Sequence, residues 1–479
     1  MPDLSPLMKG VLAGWFSFRM CESCNTFQML CNNHSGASAY FYVMKKQNIF
    51  NAVFLMIGLF ISFGNETFSQ QDAAKDSLIL QKFYAVNQSP LYWFSSDQNR
   101  SKATEWLTMI QSARNLGIIP DKLQSDQIHV ALLSNNSLNN QSKELRDRQI
   151  TGFVLSFIKQ LQEGNIKFDY DEVNISRDSI YIYQLLHSKP GESVSQIVSR
   201  LDCKDPEYLV LKAFLNDSVT SRDTLKHEKI VIAMNYRRYF AANHFTEYIV
   251  ANIPAAGVSY YRNNLLNLNM RTVVGRKKNP TPLIASYITN IVTFPHWNVP
   301  HSIAVKELLP KVQKNENYLE QNNFDVVNGR GKVIDDADLK WKSYNEKNFP
   351  YFFRQSTGPR NSLGVLKFNL QNPFSIFLHS TSQQSAFGKD YRFLSHGCIR
   401  LEKPFDLAKA LLPDKIDIKQ LKSGKKNTES KTIALPNKIP VFIVYDPVTV
   451  KGSKVIFLKD EYDLSNKNNI MSYLFVYMI

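Results

Sequence analysis

The run FSIFLHSTSQQSAFGKDYRFLSHGCIRLEKPFDLAKAL, Phe374 to Leu411, constrains this chain more than any other stretch. It begins as an apolar, β-prone segment ending in His379. A polar loop follows, then Ser395-His396-Gly397-Cys398-Ile399-Arg400. Pro404 suits the first turn of a helix carrying Phe405, Ala408, Leu411 and Leu412 on one face. A strand that delivers a histidine and a loop that delivers a cysteine beside a glycine can form a thiol–imidazole pair. That pair is the basic unit of cysteine acyl transfer.

The chemistry explains the residue types. A free thiol ionises near pH ~8.5, so little thiolate exists at neutral pH unless a base takes the proton. A neighbouring imidazole can take it and later return it to a leaving amine. Gly397 leaves room for a carbonyl beside the sulfur, and backbone N–H groups around Gly397 and Cys398 can stabilise an oxyanion. Two other readings compete. A cysteine can be a small buried hydrophobe and a histidine a satisfied polar group. Alternatively, His379, His396 and Cys398 can be sketched as zinc ligands, but no fourth ligand stands at a recognised spacing. Residue types alone leave the catalytic and structural readings both open, with metal behind them.

The motif decides between them. SHGCIR, preceded upstream by a histidine followed by serine, resembles the signature of the L,D-transpeptidases, the YkuD-type enzymes that cross-link peptidoglycan. His379, Ser395, His396, Gly397, Cys398, Ile399 and Arg400 all match it. The resemblance implies Cys398 as nucleophile and His379 as base and then acid. It gives supporting places to Ser380, whose carbonyl would hold the imidazole, and to Ser395. His396 and Gly397 would shape the oxyanion site, and Arg400 would steer an anionic group or brace the loop. It implies no metal and no cofactor. The implied partners are peptidoglycan stem peptides, as donor tetrapeptide and acceptor, and proteins of cell-wall synthesis.

The formal net charge of +15 suits an anionic partner, whether nucleic acid, membrane or cell wall. No nucleic-acid-binding motif accompanies it and the basic residues are dispersed, so nucleic acid is not expected. The densest basic cluster, Lys415 to Lys431, reads as a solvated loop.

At the N-terminus, Met44-Lys45-Lys46 and the apolar run from Ile49 to Phe63 read as the basic and apolar parts of a secretory signal. Small residues follow around Thr67-Phe68-Ser69. Residues 1–43 are then expected to be a mis-annotated extension, 44–69 a signal peptide, and the mature chain periplasmic. An uncleaved inner-membrane anchor is the lesser option. Cys21, Cys24 and Cys31 precede that signal. Cys203 and Cys398 alone remain in the body, too few for a disulfide framework.

The expected architecture is α+β. A helical scaffold domain over 72–223 is followed by a mainly-β catalytic domain over 226–463, with a capping insertion at 305–353 and a tail at 464–479. Ile150, Phe153, Val154, Phe157, Ile158 and Leu161 recur at helical spacing before Gly164, as do Trp106, Leu107, Ile110 and Ala113 before Gly117. From Lys229 the apolar runs KIVIAM, EYIVANIP, GVSYY and MRTVVG read as strands. Val305 to Phe353 loses strand character and becomes charged and Asn-rich; the resemblance puts a cap beside the substrate groove there, and a lid is the natural reading. The small three-helix peptidoglycan-binding module common in that branch is not recognisable. Water as acceptor (an L,D-carboxypeptidase), attachment of a protein to the wall, a silent wall-binding scaffold and a papain-like peptidase are the rival readings. The papain-like motifs are absent, and intact His379 and Cys398 speak against a silent scaffold.

Overall fold

The structure is a computed structural model. It describes residues 78–118 and 139–464, apart from 174–175, 188, 190, 218–222, 316, 338, 414 and 425–427, with the backbone of three N-terminal strands. Those strands, Phe16–Cys21, Thr26–Cys31 and Tyr42–Lys45, form an antiparallel sheet in a unit that ends at Ile79. The apolar run Ile49–Phe63, the expected cleavage point before Gln70 and the tail beyond Leu464 lie outside the described residues. Among the described residues no helix is long and apolar enough to cross a membrane.

The unit from Leu80 onward begins with helices. In Asn140–Glu163 the residues Ile150, Val154, Phe157, Ile158 and Leu161 are buried, while Phe153 is only partly so. Asn139 caps this helix by accepting from the Ser142 amide at 2.8 Å. The chain leaves it at Gly164, where φ is +70°. One buried carboxylate on the helix was invisible in the pattern: Asp147 accepts from the Tyr84 hydroxyl at 2.7 Å and the Trp93 amide at 2.8 Å. It therefore stabilises a turn that would otherwise bury unpaired N–H groups.

The strand expected at KIVIAM is instead part of the helix Thr224–Asn243, capped by Asp223. Its middle is buried on nearly every side, from His227 through Ile230, Met234 and Tyr236 to Arg238. Helical periodicity disappears from a helix covered all round, and a short run rich in β-branched residues then imitates a strand.

Eight strands follow: β1 Glu247–Asn252, β2 Gly257–Arg262, β3 Leu265–Gly275, β4 Ile284–Thr293, β5 Leu366–Leu370, β6 Leu378–His379, β7 Ile399–Leu401 and β8 Lys431–Val444. Their order is β5-β6-β7-β3-β2-β1-β8-β4, and β5 also pairs with β4, so the sheet closes into a barrel. The β6–β7 and β1–β8 pairs are parallel; the others are antiparallel. Alternation along each strand sends Leu366, Phe368, Leu378, Ile399 and Leu401 into the interior, all at 0% exposure. A helix at Pro404–Leu411 buries Leu407, Ala408 and Leu411, while Phe405 packs only partly.

The insertion keeps more order than its composition suggests. Trp297–Asn298, Phe324–Val327, Val333–Ile334 and Phe352–Gln355 form an antiparallel sheet, against the expected loss of strand character. Helical segments from His301 to Lys314 pack on it, and Leu308, Val312, Phe324, Trp341 and Phe353 make a core of their own. The turn Ala304–Leu308 is π-helical. Pro310 follows it and has no N–H to donate back to Lys306.

Candidate active site

The site lies on the outer face of the barrel, across β5, β6 and β7. Lys367 of β5 stands opposite His379 of β6, and His379 stands opposite Arg400 of β7. Directly opposed residues share a face, and so do residues two apart on one strand. Cys398, just before β7, therefore joins Arg400, His379, Lys367 and Phe377 on one face. The Ile399 amide donating to the Phe377 carbonyl at 3.1 Å fixes that register at the cysteine.

His379 is 4% exposed, and its Nδ1 lies 2.5 Å from the Ser380 carbonyl oxygen. A carbonyl can only accept, so Nδ1 carries the proton and Nε2 keeps a free lone pair. Burial, with Arg400 and Lys367 nearby, holds the imidazole down at about 3, against the opposing pull of the Ser380 and Leu363 carbonyls. Burial also pushes the Cys398 thiol up to about 11, opposed by the Phe377 N–H and by Lys367 and Arg400. The pair at rest is thus a neutral thiol beside a neutral imidazole. The thiol points toward the Ser375 carbonyl, with Sγ at 3.7 Å.

Hydrogen bonds set the cysteine loop. The Ser395 hydroxyl donates to the Cys398 carbonyl at 2.6 Å and accepts from the Gly397 amide at 3.1 Å. Thr281 donates to the Gly397 carbonyl at 2.8 Å. Gly397 has φ +117°, and a Cβ there would meet Ile376 Cδ1 at 3.0 Å, so glycine is required for conformation as well as access. The Gly397 N–H is therefore already engaged. Among the described residues the Cys398 N–H meets no acceptor.

The Ser380 hydroxyl, buried, accepts from the amides of Val365 and Leu366 at 2.8 and 3.0 Å and donates to the Leu363 carbonyl at 3.0 Å. It ties the histidine strand to the turn at Gly364, where a Cβ would meet Ser380 Oγ at 2.2 Å. The His396 side chain meets the insertion: its Nε2 lies 2.6 Å from Glu307, and Arg276 reaches both, at 2.7 Å to His396 and 2.9 Å to Glu307. Burial would raise the Glu307 carboxyl, but the hydrogen bonds from His396 and Arg276 outweigh it and leave the carboxyl low. Arg400 donates to Gln383 Oε1 at 3.0 Å.

The structure thus brings His379, Ser380, Ser395, Gly397, Cys398 and Arg400 together and turns His396 toward Glu307 of the insertion. Sequence reasoning missed Lys367, Glu307, Arg276 and Gly364. The LKFNL alternation signalled that Lys367 faces outward, but only the strand register shows what it faces. Among the described residues no cluster of histidine, cysteine and carboxylates is suited to a metal.

A thiol and an imidazole on one face of a barrel are groups that can serve acyl transfer. Residues 246–443 match the L,D-transpeptidase catalytic domain (YkuD), and residues 79–215 match a scaffold domain. The chain therefore carries an L,D-transpeptidase catalytic domain of the YkuD type, preceded by a scaffold domain. A Haemophilus influenzae protein named as a proposed L,D-transpeptidase is 34% identical over 263 residues, covering 54% of this chain and 52% of that protein. The chain spans about half the length of this curated relative. Among solved structures, a cysteine-to-serine mutant of an Enterococcus faecium L,D-transpeptidase is 11% identical with a TM-score of 0.21, covering 42% of this chain and 51% of that one. An L,D-transpeptidase from Mycobacterium smegmatis is 14% identical with a TM-score of 0.19, covering 42% and 58%.

Proposed function

We propose that this protein is a peptidoglycan L,D-transpeptidase that forms 3→3 cross-links through an acyl-enzyme on Cys398. The observation that carries this reading is the commitment of His379 Nδ1 to the Ser380 carbonyl, which makes Nε2 the basic nitrogen of an imidazole on the face that bears Cys398.

As the sulfur attacks the donor carbonyl at an L-centre, its proton passes to His379 Nε2 and an S–C bond forms. The oxyanion is met by the Cys398 N–H. The C–N bond then breaks, and His379 returns the proton to the departing D-alanine amine. The side-chain amine of an acceptor diaminopimelate attacks the thioester and gives its proton through His379 to the sulfur, regenerating the thiol. Because both groups start neutral, the thiolate–imidazolium pair forms only as the substrate carbonyl takes up charge. Lys367 and Arg400 favour the thiolate during that step.

Peptidoglycan lies outside the inner membrane, so the reading carries a periplasmic location with it. N-terminal sequencing of protein from its native host should find a start near Gln70. Incubation with disaccharide-tetrapeptides and mass spectrometry of the muropeptides tests the reaction. The expected product is a cross-linked dimer lacking one D-alanine. Tripeptide alone would mean water is the acceptor, a peptide-linked protein would mean wall attachment, and unchanged tetrapeptide would remove the reading.

A further inference from the structure

The face that carries Cys398 also carries two cations without a counter-charge. Lys367 and Arg400 flank His379 on the two neighbouring strands. Strands lie roughly 4.8 Å apart, so the two backbones stand about 10 Å apart and both long side chains reach the space above the histidine. Both residues are half-buried. Lys367 Nζ sits 4.2 Å from the Phe377 ring centre, and Arg400 donates only to the neutral amide of Gln383. Among the described residues no carboxylate pairs with either. Three arginines elsewhere in the barrel domain do have carboxylate partners: Arg262 with Glu247, Arg271 with Glu402 and Arg276 with Glu307. Burial lowers the pKa of both Lys367 and Arg400, as expected for cations that lack an anion.

We propose that Lys367 and Arg400 form a carboxylate subsite that holds the C-terminal carboxylate of the donor peptide. This rests on the reading of Cys398 as an acyl-transfer nucleophile. When the residue released is the last in its chain, its carboxylate lies only a few bonds from the carbonyl being attacked. A carboxylate seated between the two cations sets that carbonyl beside Cys398. It also selects donors that end one residue beyond the scissile bond. An extended or amidated donor leaves two half-buried cations unmatched, which is the costly outcome.

The test compares a disaccharide-tetrapeptide donor with its C-terminal amide. Wild-type protein should prefer the free carboxylate by about tenfold or more in kcat/KM, the usual range for a charge-assisted contact. In Lys367→Gln the preference should fall toward unity, while Lys367→Arg should keep it. The preference is a ratio measured within one protein, so a partly folded variant does not distort it. Equal use of both donors by wild type would overturn the subsite, as would a preference that survives in Lys367→Gln. Calorimetric binding of the same two ligands to Cys398→Ala needs no turnover. If wild type transfers neither donor, the functional reading falls, and this binding preference alone decides the subsite: present, it stands; absent, it does not.

Discussion

The chain has two free cysteines among its described residues, Cys203 buried and Cys398 half-buried, and their surroundings differ. Cys203 sits in the helical region at 7% exposure, packed with Tyr208, Leu211, Ile230 and Met234 and with Val448 and Val450 from the hairpin of strands Val448–Lys451 and Lys454–Phe457. Burial raises its thiol, and no histidine is among the residues of that cluster. Cys398 also has a raised thiol, yet it shares a strand face with a histidine whose Nδ1 is committed to a carbonyl and with two cations. On the proposed function, reactivity would come from the face and from what its register brings together, and not from a low resting thiol pKa.

The largest effect expected from this contrast is that of Cys398→Ala, which should abolish acyl transfer while melting like the parent, because it removes only the nucleophile. Product formation by that variant in a muropeptide assay would break the comparison. His379→Ala should come next, slowing acylation of the protein by about 10²–10⁴-fold near neutral pH. The sign of its pH response follows from the raised thiol. Without a base, the thiolate fraction grows about tenfold per pH unit until the pKa, so rescue should continue toward pH 11 rather than level off near 8.5. A rate plateau near 8.5 in a pH series would show that the thiol is not raised in the protein.

Smaller effects belong to the tie between cap and cysteine loop. His396→Ala and Glu307→Gln should each cost less than about tenfold in acylation rate, with no alkaline rescue. Their double variant should cost less than the product of the two, since both break one contact. Independent effects would place His396 in the oxyanion site instead. Cys203→Ala should change activity least, within about twofold, while lowering stability by about 1 kcal/mol for the lost buried sulfur. Denaturant unfolding beside the activity assay separates the two.

The placement of His379 and Cys398 on one face was legible because it rests on local spacing: a strand, a loop and SHGC lie within one stretch of chain. The scaffold stripes were legible for a similar reason, since Ile150, Val154 and Leu161 line one face of one helix. The helix Thr224–Asn243 was not, because packing on nearly every side leaves no polar face to mark its period. The strands of the cap were hidden by their shortness and by the charged turns between them. Lys367, Glu307 and Arg276 were hidden for a different reason. Their meaning comes from pairing between segments far apart in sequence, and a lysine alternating with Leu366 and Phe368 looks like any solvent-facing strand residue until His379 is set opposite.

The central claim is that Cys398, served by His379, is the acylated nucleophile. It is tested most directly by the intact mass of the protein after exposure to a carbapenem, a strained acyl donor, followed by mapping of the modified peptide. The account predicts one adduct, on the peptide containing Cys398, formed far more slowly in His379→Ala and absent in Cys398→Ala. An adduct on Cys203, or one that persists in Cys398→Ala, would contradict it.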